Sequence, residues 1–313
     1  MKIRIGYLGK PHTLFESFHT MTLKKYKKLE ENANLELDKL IISNLNTLNN
    51  IIEYNKKNNI YFYRIIDNLL PLATIKDIEY NYKKFSNTFL NIGERIKKYN
   101  MRVDIHADHF CILNSTKNEV IENSFRIIKN IKMIFDMLNI NSKVIIHIGG
   151  KGPCKETAIK RIEINFKKLP IDIQKIIILE NDDHIYTVSD TLSLCQRLNI
   201  PLVLDYHHFR CNHEKNEKIE KLLPLIIKTL KNTNLNPKIH FSSPKSKKEK
   251  RTHHFYIDYA YFIKFIEILK VFNQDIDIML ECKGKDEALF KLLRQLKYYK
   301  KFKMKKNEII IDN

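Results

Sequence analysis

Histidines and carboxylates recur at one kind of place along this chain. Short apolar runs end at or beside His106, His147, Glu180, Asp205 (with His207 and His208 just beyond), His240 and Glu281. Imidazole and carboxylate together suit Zn²⁺, Mn²⁺ or Fe²⁺ better than Ca²⁺ or Mg²⁺. One histidine closing an apolar strand is ordinarily a satisfied core group, so convergence has to carry the argument. If the runs are strands of one closed sheet, their ends share a rim, and anions gathered there without cations would repel each other strongly. Divalent cations resolve that conflict. The donors outnumber what a single ion can use, so a cluster of two or three ions is expected. The sequence offers no competing nucleophile. It has only 7 glycines, no Gly-rich phosphate loop (hence no nucleotide cofactor), no G-x-S-x-G, and no cysteine with an obvious partner.

Such a rim requires a parallel barrel, and the chain has the periodicity of one. Eight runs read as strands: Ile3–Tyr7, Ile60–Ile65, Arg102–His106, Lys143–His147, Lys175–Glu180, Pro201–Asp205, Pro237–Phe241 and Asp275–Glu281. Amphipathic stretches near 43–58, 77–99, 117–138, 155–168, 188–198, 216–231, 258–273 and 285–299 read as the helices between them. Ser189 is placed to cap the fifth of these, and Pro201 restarts the chain as a strand. The reading is a single (β/α)₈ TIM barrel over residues 1–313, with residues 299–313 a basic tail whose default state is a solvated end. Two long connections, about Gly9 to Leu40 and about Ser242 to Tyr256, follow strands 1 and 7 and so lie on the C-terminal face, where barrel enzymes keep their chemistry.

Charge indicates the partner. Lysine and arginine total 55 against 36 acidic residues, a formal net charge of +19. Such an excess favours a polyanion, because cations that neutralise phosphates release condensed counterions. No run approaches the roughly 18 apolar residues of a membrane span. The chain enters a strand at once, without a targeting signal. Its five scattered cysteines fit reduced thiols, and the expected setting is the cytoplasm, in association with the nucleoid.

An ordered set of motifs spans the chain: Arg4-Ile5-Gly6-Tyr7, Tyr63-Arg64, Ile105-His106, Ile146-His147-Ile148-Gly149-Gly150, Leu179-Glu180-Asn181-Asp182, Leu204-Asp205-Tyr206-His207-His208, Lys238-Ile239-His240-Phe241-Ser242-Ser243 and Met279-Leu280-Glu281-Cys282-Lys283. Together and in this order they resemble the ultraviolet-damage endonucleases, xylose-isomerase-like barrels related to apurinic-site endonucleases. The resemblance implies incision immediately 5′ to cyclobutane pyrimidine dimers and (6-4) photoproducts in duplex DNA by metal-activated hydroxide, with two or three ions, Mn²⁺ before Zn²⁺. Carried over by motif, the metal ligands are His106, His147, Glu180, Asp205, His208, His240, Glu281 and His253, with His254 the alternative to His253. Glu180 would bridge two ions, and Glu180, Lys238 and His253 would be catalytic. Lys238 falls where the family can carry a carboxylated lysine that acts as an anionic ligand; its plain reading is a solvated lysine at a strand start. A histidine that relatives can carry after strand 2 is not evident in Pro71-Leu72-Ala73-Thr74, nor is an asparagine in Leu8-Gly9-Lys10-Pro11.

By the same resemblance His109 and Phe110 probe the lesion, replacing the glutamine and tyrosine of other members. A poorly stacked photodimer is cheap to flip out if side chains fill the gap it leaves. For Phe110 the alternative is a core residue beneath its loop. Tyr7 either touches the lesion or packs. Lys245, Lys247, Lys248 and Arg251 form the candidate phosphate contacts, set against a floppy solvated turn, and Lys24, Lys25, Lys27 and Lys28 form a second group. Arg64 braces the barrel floor or reaches a phosphate. The chain is expected to act as a monomer. The rival readings are an apurinic-site endonuclease, a sugar isomerase on the same barrel, which the charge disfavours, and a damage-binding protein that does not cut, which would have lost many of the ligands.

Overall fold

The computed structural model describes residues 1–231 and 233–311; Asn232 and the last two residues of the expected tail, Asp312 and Asn313, lie outside the described residues. In chain order the elements are β1 (Lys2–Leu8), α1 (Leu23–Lys28), α2 (Ala33–Lys57), β2 (Phe62–Ile65), α3 (Ser86–Lys98), β3 (Arg102–His106), α4 (Asn118–Met137), β4 (Val144–His147), α5 (Lys155–Lys167), α6 (Ile171–Gln174), β5 (Ile177–Glu180), α7 (Val188–Leu198), β6 (Leu202–Asp205), α8 (Tyr206–Cys211), α9 (Ile219–Lys228), β7 (Lys238–Phe241), α10 (Tyr259–Lys270), β8 (Ile276–Leu280), α11 (Lys285–Leu296), β9 (Lys303–Lys305) and β10 (Glu308–Ile310). Strands β2 to β8 pair in sequence order, and β1 closes the ring between β8 and β2, all in parallel. The chain is a single-domain (β/α)₈ barrel, as its periodicity predicts.

Strand pleat divides the side chains between two spaces, because neighbouring residues point to opposite faces. On β1, Ile3, Ile5 and Tyr7 face the layer between sheet and helices, where the large core lies. Arg4 faces inward and pairs with Asp277 of β8. Ile145, Ile178 and Val203 form a small apolar cluster of their own. Each sits two residues before His147, Glu180 or Asp205, so all six share the barrel interior and the donors form its uppermost layer.

The turns that return the chain from helix to strand repeat one device. Asn59, Asn100, Asn139, Asn199, Asn234 and Asn273 all have positive φ and stand shortly before β2, β3, β4, β6, β7 and β8. Asparagine tolerates the left-handed conformation that ends a helix, second only to glycine. The abundance of asparagine therefore has a structural use in a chain with so few glycines.

Three expectations are corrected. The charged tail is not a free end: β9 and β10 form an antiparallel hairpin, and β10 pairs with the first half of β1, Lys2 opposite Ile310 and Arg4 opposite Glu308. Helix α2 begins at Ala33, inside what reads as a loop, whereas much of the stretch from residue 77 is irregular before α3. The cap of α7 is Thr187, which accepts from the Asp190 amide while Asp190 accepts from the Thr187 amide, a reciprocal box that leaves Ser189 inside the helix. No helix among the described residues is long and apolar enough to cross a membrane.

Candidate metal centre

The strand ends deliver the expected donors to one volume. Ligand atoms of His106, His147 and Glu180 lie within 4.8 Å of one another, and so do those of Glu180, Asp205, His240 and Glu281. Glu180 belongs to both groups. It is buried; one carboxylate oxygen meets His106 Nε2 at 2.8 Å and the other meets His240 Nδ1 at 2.6 Å. His208 stands next to this pair of groups, its Nδ1 3.9 Å from Glu180 and 3.8 Å from Asp205. The ring of His253 lies 5.0 Å from that of His207 and 6.3 Å from that of His208. His254 is held in a local turn, accepting from the Tyr256 amide, and neither of the two neighbours belongs to the two donor groups.

The electrostatics are those of a site built around cations. Burial, helped by the neighbouring Glu180 and Glu281, outweighs the pull of His208 and raises Asp205 to about 8. Burial lowers His208, but Asp205, Glu180 and Glu281 outweigh it and lift the imidazole to about 9. Burial brings His240 down to about 4 in spite of Glu180, leaving a neutral imidazole, the form that binds metal. Asp205 Oδ2 and His147 Nδ1 are buried with no hydrogen-bond partner. Orphaned donor atoms beside a buried cluster of carboxylates and imidazoles fit a divalent metal centre.

The layer beneath is an ion column that the sequence did not reveal. Lys238 is fully buried, its Nζ 2.6 Å from Asp104 Oδ2. It is not a solvated lysine: its side chain is paired with Asp104, one pleat below His106. Arg64, also buried, approaches Asp104 at 3.5 Å, pairs with Glu281 at 2.6 Å and contacts His240. It therefore braces two donors from within. Asn181 does related work, exchanging hydrogen bonds with the backbone of Asp205 and accepting from His208 Nδ1 through its carbonyl. A conformationally locked set of donors of this kind raises ligand order and affinity. His207 has a separate use: its Nε2 lies 3.1 Å from the Arg251 carbonyl of the strand-7 loop.

The proposed DNA contacts separate into exposed and occupied groups. Tyr7 is wholly buried, its hydroxyl donating to Asn55 of α2, because pleat parity sends it outward with Ile3 and Ile5; of its two readings, packing is the observed one. Phe110 is 60% exposed, which removes the core alternative, and its ring stacks 4.1 Å from that of His109. The strand-7 loop is not floppy, since Pro244 bridges to His253 and the Lys245 amide donates to Thr252. On it, Lys245 pairs with Glu249, and Arg251 binds the Asp183 carbonyl at 3.0 Å. Lys247 and Lys248 are exposed and form no ion pair among the described residues.

Comparison with known proteins agrees over the whole length. A profile of the family described as UV-endonuclease UvdE matches residues 3–311. The UV DNA damage endonuclease of Bacillus cereus (strain B4264) is 40% identical over 302 residues, covering 95% of each chain. That of Bacillus mycoides (strain KBAB4) is 38% identical over 305 residues, again covering 95% of each. The crystal structure of SacUVDE superposes with a TM-score of 0.86 at 30% identity, over 95% of this chain and 99% of that one. Endonuclease IV from Thermus thermophilus, at 14% identity and a TM-score of 0.55, covering 80% of this chain and 93% of that one, shares the barrel fold. With its family profile, its relatives and its nearly complete structural overlap in agreement, the chain belongs to the UV-endonuclease family and is an enzyme of the endonuclease class.

Proposed function

We propose that this enzyme repairs DNA by cutting one strand immediately 5′ to cyclobutane pyrimidine dimers and (6-4) photoproducts, using two or three divalent ions, Mn²⁺ before Zn²⁺. The observation that carries the reading is Glu180, shared between the His106–His147 group and the Asp205–His240–Glu281 group. His208 and His253 would complete the ligand shell on the β6 and β7 side. Bound divalent ions supply Lewis acidity and lower the pKa of water, which phosphodiester hydrolysis needs where no protein nucleophile is present.

The chain's own residues do the rest. Arg64 holds Glu281 and His240 in place, and Lys238 serves that brace through Asp104. Phe110 and His109, projecting from the strand-3 loop, fill the gap left when the lesion leaves the stack. Lys247 and Lys248 meet phosphates first; Lys245 and Arg251 follow by exchanging Glu249 and Asp183 for the backbone of the duplex. Lys24, Lys25, Lys27 and Lys28 of α1 extend the basic track. The enzyme acts as a monomer on chromosomal DNA in the cytoplasm.

A nicking assay on a duplex with a single thymine dimer tests the proposal. Incision directly 5′ to the dimer, present with Mn²⁺ and absent with EDTA or on undamaged duplex, is expected; cutting only at abasic sites would replace the photolesion reading with the apurinic one. In the same assay Phe110→Ala is expected to lower incision of the dimer duplex by roughly tenfold or more, the scale of a lost wedge that offsets unstacking, while bound metal per chain stays at the wild-type level. Unchanged incision would remove Phe110 from lesion probing.

A further inference from the structure

The loop between β1 and α1 presents a second aromatic side chain on the face of the barrel that carries the metal centre. Phe15 is 98% exposed, the most exposed large apolar side chain of the chain's described residues. An undocked loop would explain that, but this loop is docked on both sides of it. Buried Asp286 of α11 accepts from the His12 amide and the Thr13 hydroxyl, each at 2.7 Å. Buried Asn44 of α2 donates to the His19 carbonyl at 2.9 Å and accepts from the His19 amide at 2.7 Å. Leu14 and Phe18 pack against the core, so the apolar residues on either side of Phe15 are used while Phe15 is held out. Lys10 Nζ lies 3.4 Å from the Phe15 carbonyl.

The helix that follows this loop is cationic. Lys24, Lys25, Lys27 and Lys28 on α1 are exposed and make no ion pair among the described residues. An aromatic ring on a firmly held loop, followed on the same connection by unpaired lysines, offers what binds a nucleic-acid strand, phosphates to the cations and a base face to the ring. We infer that Phe15 is a second base-stacking contact with the DNA substrate, on the β1 side of the mouth, separate from the His109–Phe110 pair on the β3 side. The inference rests on the DNA reading given above.

Because the chain has no tryptophan, Phe15→Trp would carry a single reporter at the contact itself. Mixing it with a dimer-containing duplex is expected to quench its fluorescence. Phe15→Ala is expected to weaken binding of that duplex, followed by fluorescence anisotropy on ice, roughly tenfold, as for one lost base stack. The dependence of log affinity on log salt keeps the wild-type slope, since no charge is removed; Lys24→Ala with Lys25→Ala lowers the slope instead. Wild-type binding with no quench in Phe15→Trp and an affinity for Phe15→Ala within twofold of wild type would overturn the inference alone. Failure of the wild-type enzyme to bind either damaged or undamaged duplex would overturn the DNA reading and this inference with it.

Discussion

Glu180→Gln is expected to abolish incision, a loss of at least about a thousandfold, or some 4 kcal/mol in the barrier, while the protein still folds. The amide keeps the shape of the carboxylate and can still hydrogen-bond, so the barrel loses little packing. What it loses is the charge common to both donor groups. His106 and His147 would be left without their carboxylate, and Asp205, His240 and Glu281 without their fourth partner. Metal content by elemental analysis is expected to fall along with activity. Near-wild-type incision would sink the assignment of Glu180 as the shared ligand; lost incision with full metal content would move its role from holding metal to the chemistry.

Asp104→Ala is expected to cost about 3–5 kcal/mol of stability in urea unfolding, the effect of leaving buried charge without its partner. Among the described residues, Lys238 would lose its only ion-pair partner and Arg64 one of its two. Burial raises the Asp104 carboxyl and Lys238 and Arg64 lower it by more, so it is held below its ordinary value. Its contribution is therefore present above the ordinary carboxylate range and lost as pH falls through the depressed value. Burial brings Lys238 down to about 8, Asp104 opposing. Converting both members together, Asp104→Leu with Lys238→Met, is expected to recover much of the loss, because a buried pair replaced by apolar groups of similar size is often near neutral. A stable Asp104→Ala single variant would show that the column bears little of the fold's stability.

These two residues mark the boundary of what the sequence makes legible. The donor ring is legible because two constraints coincide in the primary structure: a strand end fixes height in the barrel, and pleat parity fixes facing. His147, Glu180 and Asp205 satisfy both without reference to any other strand. The Asp104–Lys238 pair depends on which strands stand opposite across the barrel, here β3 and β7, which no local pattern contains. The plain reading of Lys238 as a solvated lysine is consequently overturned, because it is buried and paired. Tyr7 is a different kind of miss. Parity with Ile3 and Ile5 was available to place it outward, but its position at the strand end drew it to the rim. The hairpin at the tail was hidden by lysines at 303, 305 and 306, although the run Ile309-Ile310-Ile311 carries the apolar signal of a paired strand. The asparagines before six strands carried a turn signal that abundance alone disguised.

The pairing of β10 with β1 has a consequence for how the enzyme comes into being. The Met1 amino group donates to the Ile311 carbonyl and the Ile311 amide returns a bond to Met1, so β1 waits for a segment 310 positions further along the chain. β1 is also the seam strand, receiving β8, which ends beside Glu281. Contacts this distant in sequence form late and slowly. During synthesis, the donor ring therefore lacks Glu281 and its closing strand until β8 has been made. A chain made only as far as β7 carries the donors of β3 to β7 without Glu281, and the donor ring is whole only once β8 has closed the barrel.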